Sequence, residues 1–244
     1  MHVTCSVLTD TTDDNGLQPS RVAQEKKDPD GLCRSPERIV SLSDGVFAFA
    51  ITLLALSLVV PVLTRGAVES ELVRDLFDMA PVFLSYFISF FVIASWWRAH
   101  HRIFSHIQRC NGMTISLNFY FLLCITIIPF LTSLITQYGQ YHLATILYAS
   151  IQAVTGTILL ILWVYVSKNH RLIDVHLSTQ MIRFIVNRQL LVIGIFLVSI
   201  PIAMINTTVA QISWIAIAPL IGILRRAYRD IEIFVEDEML ESKK

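Results

Sequence analysis

Charge is scarce in this 244-residue chain, at 16% of residues against 54% apolar, and it stands in short stretches between long apolar runs. A water-soluble domain of this size needs a more charged surface. The distribution, with a mean hydropathy of +0.60, therefore makes lipid the principal solvent. Net charge is absent too: 19 basic residues balance 19 acidic ones, leaving no global field to recruit nucleic acid. Cysteine is sparse and unpatterned. Cys5, Cys33, Cys110 and Cys124 show no CxxC and no paired spacing, so no disulfide framework or zinc site is indicated and free thiols are expected. The first 35 residues lack the basic start and apolar stretch of a secretory leader. They are mixed and polar, with Asp10, Asp13, Asp14, Lys26, Lys27 and Asp28, which predicts a disordered tail.

What is present is a series of six apolar segments, each near the roughly 20 residues a bilayer crossing requires. They are expected at about 39–61, 81–104, 113–136, 143–166, 189–206 and 209–227. The fold class is thus all-α and polytopic: a disordered cytoplasmic tail over 1–35, a six-helix membrane domain over 36–230 and a charged cytoplasmic tail over 231–244. Pro129, Pro201 and Pro219 fall inside spans, where neighbouring helices re-satisfy the backbone groups a proline frees.

Basic residues set the orientation. Arg34 and Arg38 precede the first span; Arg98, Arg102 and Arg109 surround the 2–3 loop; Lys168, Arg171, Arg183 and Arg188 are assigned to the 4–5 loop; Arg225, Arg226 and Arg229 follow the sixth. The alternate side has only Arg65 and Arg74, outnumbered by Glu69, Glu71, Asp75 and Asp78. Six spans with both termini in the cytoplasm of a cell membrane satisfy this pattern.

Ionisable groups inside a membrane are costly and mark function. They cluster at one face, as Arg38, Ser41, Ser43 and Asp44 on the first helix and Arg98, His100, His101 and Arg102 on the second. A buried Asp44 would need donors, which Arg38, Ser41 or a helix 2 histidine would supply; alternatively Asp44 simply caps the helix at the interface. At 100° per residue, Gly45, Phe49, Thr52, Leu53 and Leu56 share one stripe of the first helix, a packing face or a pore lining. The histidines 100, 101, 106, 170 and 176 show no HxxHH or HExxH spacing, and Asp174 is the one nearby loop carboxylate. Neither a metal site nor a cofactor is expected, and the chain does not read as an enzyme.

The run Arg38-Ile-Val-Ser-Leu-Ser-Asp44-Gly-Val-Phe-Ala-Phe-Ala-Ile-Thr-Leu-Leu54 closely resembles the RxxxFSD signature and following helix of the lysosomal potassium channel family, transmembrane protein 175, in its prokaryotic form. Trp96-Trp97-Arg98-Ala99-His100-His101-Arg102-Ile103-Phe104 is similar to the family's helix 2 ending, and Asn118 through Pro129-Phe130-Leu131-Thr132 to its third helix. The likeness covers about residues 36–230. It implies a potassium-selective cation channel in which the first helix of each subunit lines a central pore, without a filter loop; no TVGYG occurs here. It further implies a polar network of Arg38, Ser43 and Asp44 with His100 or His101, a constriction at Phe49 continued by Leu53 and Leu56, and selectivity tuned by Thr52. Leu42 stands where the motif has phenylalanine, and Phe49 where isoleucine or leucine is usual. Only one such six-helix repeat is present, and one helix cannot enclose a pore, so a homotetramer is expected. The implied partners are potassium ions, the bilayer and the other three subunits. A secondary transporter is the alternative, disfavoured by the unbroken apolar character of spans three to six.

Overall fold

The computed structural model describes residues 36–56, 58–60, 69–168, 172–173 and 177–228. The tails expected over 1–35 and 231–244 lie outside the described residues. Within them the chain is helical, with Ile107 and Ile173 forming one isolated antiparallel bridge and no sheet. The helices are α1 (Pro36–Ala55), α2 (Glu69–Asp78), α3 (Ala80–Phe104), α4 (Gly112–Tyr138), α5 (His142–Ser167), α6 (Thr179–Ile205) and α7 (Thr207–Ser213). A 3-10 turn at Trp214–Ala216 and a terminal helix over 217–228 continue α7. Six of these segments are long and apolar enough to cross a bilayer: α1, α3, α4, α5, α6 and the composite span Thr207–Tyr228.

Helix starts follow from capping side chains, which satisfy backbone N–H groups that the first turn leaves without partners. Asn111 Oδ1 accepts from the Thr114 N–H at the start of α4, Ser178 Oγ from the Met181 N–H at the start of α6, and Asn206 Oδ1 from the Val209 N–H at the start of α7. The Ser178 cap corrects one expected boundary. The fifth span begins at Thr179, about ten residues before the expected position, so Arg183 and Arg188 belong to α6 and not to the 4–5 loop. Their charges mask a turn-by-turn apolar pattern in which Met181, Ile182, Phe184, Ile185 and Val186 pack on the core; long arginine stems tolerate that position. The first span ends at Ala55, not near residue 61. The β-branched Val59 and Val60 approach Pro61, which disfavours helical geometry in the residue before it. Helix α2, expected as loop, has four acidic residues among its ten and is too short to show as an apolar run.

Packing is sequential: α1 lies against α3 and α4, α4 against α5, and α5 against α6. Lipid tails are as apolar as leucine, so no hydrophobic drive brings these helices together; close packing and interhelical hydrogen bonds must. Helix α5 is the most buried span and turns small residues inward, Ala149, Ala153 and Gly156, alongside Gln152 and Trp163. Trp96 of α3 donates its indole N–H to Gln152 Oε1 at 2.8 Å, and Thr132 of α4 donates to Ser89 of α3 at 2.9 Å. Of the two described cysteines, Cys124 is a free buried thiol. Cys110 is disulfide-bonded, where the sequence reading expects a free thiol.

Gly156 is where three helices meet. A Cβ there would stand 2.8 Å from Ile193 Cγ1 of α6 and 3.2 Å from a ring carbon of Trp96 of α3. Gly156→Ala should therefore destabilise the protein by about 1–3 kcal/mol through overpacking, read as a lower thermal midpoint in detergent, with Ile193→Val restoring part of the loss. An unchanged midpoint would exclude this contact.

Candidate functional site

Helix α1 has two sides. Ser43, Phe47, Ala50 and Leu54, spaced at three and four residues, are buried against α3 and α4. Asp44, Gly45, Phe49, Thr52 and Leu56 are exposed, with Phe49 at 60% and Leu56 at 75%, and Leu53 is half-buried. The stripe derived from the sequence is the side that its own chain leaves uncovered. Thr52 Oγ1 donates to the Phe49 carbonyl at 2.8 Å. Its proton is thus committed to the helix, and the oxygen lone pairs face outward, where they can accept but not donate.

At the Arg38 end of α1 the polar groups form two separate sets. The buried set is a chain of hydrogen bonds across three helices. Ser43 Oγ donates to the Ile39 carbonyl at 2.8 Å and accepts from Asn118 Nδ2 of α4 at 3.0 Å. Asn118 Oδ1 lies 2.8 Å from His100 Nε2 of α3. Since that oxygen only accepts, Nε2 carries the proton, and Nδ1 is a bare, buried nitrogen with no partner. The His100 ring stacks on Phe104 at 4.2 Å and on Phe121 at 5.5 Å between centroids, and Phe47 packs at 5.8 Å. Aromatic carbon thus surrounds one satisfied N–H.

The exposed set joins α1 to α3 one position further on. Trp97 donates its indole N–H to Asp44 Oδ1 at 2.8 Å, and the Trp97 ring stacks on His101 at 5.4 Å. Arg38 is exposed on the Phe49 side and makes no contact with Asp44 in the single chain. Leu42 is also exposed. Of the residues expected to form one network, then, Ser43 and His100 meet through Asn118, Asp44 meets Trp97 and His101 stacks beside it, while Arg38 stands apart. Asn118 and Trp97 are the members that sequence reasoning missed. The signals were an amide inside an apolar span and an indole N–H that needs an acceptor wherever it is sheltered.

Six spans with a two-sided first helix, whose inner side is locked by a buried polar chain, define a polytopic helical membrane protein. The comparisons identify it more closely. A family model described as the endosomal/lysosomal potassium channel TMEM175 matches residues 38–129. A potassium channel of Chamaesiphon minutus is 32% identical over 173 residues, covering 69% of this chain and 84% of that protein. The crystal structure of a lysosomal potassium-selective channel TMEM175 homologue from the same organism superposes with a TM-score of 0.66 at 29% identity, over 77% of this chain and 96% of the other. The human endosomal/lysosomal proton channel TMEM175 is 35% identical over 82 residues, 32% of this chain but 16% of the human protein. The chain belongs to the TMEM175 family, a family of ion channels and not of enzymes.

The buried chain makes a stability prediction. Interhelical hydrogen bonds in membranes average only about 0.6 kcal/mol, but Asn118→Ala also strands the buried His100 N–H, which raises the cost to about 1–2 kcal/mol. Trp97→Phe removes an exposed bond and should cost less. Thermal midpoints in detergent compare the two; an equal or reversed order would show that the Ser43–Asn118–His100 chain does not hold α1.

Proposed function

We propose that the chain is one subunit of a homotetrameric, potassium-selective cation channel, with four copies of α1 around a central axis. The observation that carries this reading is the uncovered side of α1, where Phe49, Thr52 and Leu56 are exposed on a helix otherwise packed against α3 and α4. Its relatives named as potassium channels supply the ion. In this arrangement four Phe49 rings form the constriction, with Leu53 and Leu56 beyond it. An apolar, narrow segment sheds water and raises a barrier to a hydrated cation until α1 shifts. Thr52 sits about one turn further along and offers four outward hydroxyl oxygens in place of part of the hydration shell. Arg38, unpaired among the described residues, would meet Asp44 of a neighbouring subunit and add an intersubunit tie to the buried Ser43–Asn118–His100 lock.

The distribution of basic residues supports a cell-membrane orientation with both termini on the cytoplasmic side. Assigning Arg183 and Arg188 to α6 leaves them at the same membrane face, so the orientation argument survives the change of boundary.

The functional test is side-by-side potassium, sodium and proton flux in liposomes, with native mass spectrometry for assembly. Four subunits and a potassium preference are expected. Phe49→Asn should raise basal flux by wetting the constriction, whereas Thr52→Ala should chiefly lower the potassium-to-sodium preference. Unchanged flux in Phe49→Asn, with cysteines at 49 and 52 closed to pore-side reagents, would make α1 a packing helix. A monomer with full flux would sink the arrangement altogether.

A further inference from the structure

Three helices carry four arginines within electrostatic reach of one another at the membrane face that also carries the polar sets. Arg98 and Arg102 are one turn apart on α3, Arg188 lies on α6 and Arg225 on the terminal helix. Gly156 supplies the alignment: Trp96 of α3 and Ile193 of α6 flank it from two sides. Arg102 is six residues beyond Trp96, and Arg188 is five residues before Ile193 on an antiparallel helix. Both therefore lie about 8–9 Å from that contact in the same direction. The terminal helix is tied to the same place, since Asn187 Nδ2 donates to Tyr228 Oη at 2.6 Å and Phe184 packs on the Tyr228 ring at 5.3 Å.

Among the described residues nothing neutralises the cluster. The charges of Arg225 and Arg98 act on Arg102, those of Arg102 and Arg98 act on Arg188, and no carboxylate acts on either. None of the four makes an ion pair or hydrogen bond among the described residues. The described carboxylates at this end, Glu37 and Asp44, belong to α1, and Asp44 is engaged by Trp97. Arg102 and Arg188 are half-buried. Converging unpaired guanidiniums at a membrane boundary repel one another and lose hydration, a cost that a bound anion removes.

We infer that this cluster is a binding site for the phosphate headgroup of an anionic phospholipid. Guanidinium forks match phosphate oxygens in number and geometry, and basic pockets between membrane helices take such headgroups. The surroundings favour a lipid over a free anion. On the membrane side of the arginines, Leu190, Leu220 and Ile223 are exposed, an apolar surface along which acyl chains can lie.

The test uses the full-length protein in neutral detergent with three probes: a short-chain phosphatidylglycerol, the phosphatidylcholine of the same chain length, and inorganic phosphate. Phosphatidylglycerol should raise the thermal midpoint by a few degrees and remain bound in native mass spectra; the other two should do neither. The Arg102→Gln/Arg188→Gln variant should lose that shift, and its midpoint in phosphatidylcholine should be unchanged or higher, because mutual repulsion is relieved. Arg225→Gln, an exposed substitution that leaves packing intact, should weaken the shift and serves if the double variant does not fold. An equal phosphatidylglycerol shift in wild type and variants would overturn the site. A full shift with inorganic phosphate would overturn the lipid assignment. A shift that appears only after Glu236→Gln/Asp237→Asn/Glu238→Gln would assign the cluster to the chain's own acidic tail instead.

Discussion

The hydrogen-bond chain from Ser43 through Asn118 to His100 fixes the rotation of α1 about its own axis, and nearly everything distinctive about the protein depends on that angle. In a lipid environment one apolar helix face packs on its neighbours almost as well as another. Phe47, Ala50 and Leu54 alone would tolerate a slip towards Phe49 or Leu53. A buried hydroxyl that must meet an amide on another helix does not. With Ser43 turned to Asn118, Phe49, Thr52 and Leu56 must face outward, and Asp44 must fall beside Trp97.

The apolar runs made the six spans legible, because a bilayer imposes a length that few other environments demand. The boundaries were less legible where polar and apolar signals overlap. Arg183 and Arg188 interrupt an apolar count without interrupting a helix, and α2 alternates charge and hydrocarbon too quickly to register as a span. At the candidate site Ser43, Asp44 and His100 stood out as polar groups near membrane depth. Asn118 did not, because a single amide in a long apolar helix carries no periodic signal and its partners lie 18 and 75 residues away. Trp97 was hidden by its own hydrophobicity: its ring reads as an anchor, and only the structure shows where its one donor goes.

The two polar sets differ in what surrounds them, and that difference divides their work. His100 sits among Phe47, Phe104 and Phe121 with one satisfied nitrogen and one bare nitrogen, so any exchange of its partner is penalised by the full loss of a sheltered bond. Asp44 and Trp97 are reachable from outside the chain and can trade a partner for solvent at small cost. The first set resists change, and the second can be negotiated.

Restraints are distributed unevenly along the bundle. From α4 onward the bundle is laced at both ends: Gln108 to Leu172, Asn111 to Tyr165 and Asn187 to Tyr228 at one, Gln211 to Gly139 and Thr145, with His142 to Ala203, at the other. Among the described residues α1 has its side-chain ties to other helices only near Ser43 and Asp44. Mechanically it is a lever with a fulcrum at that end. Thr52 lies nine residues along, about 14 Å at the helical rise, so a tilt of roughly 5° about the fulcrum sweeps it sideways by about 1.2 Å. Ala50 and Leu54 travel with it, so their apolar contacts with α3 and α4 must slide to allow the tilt.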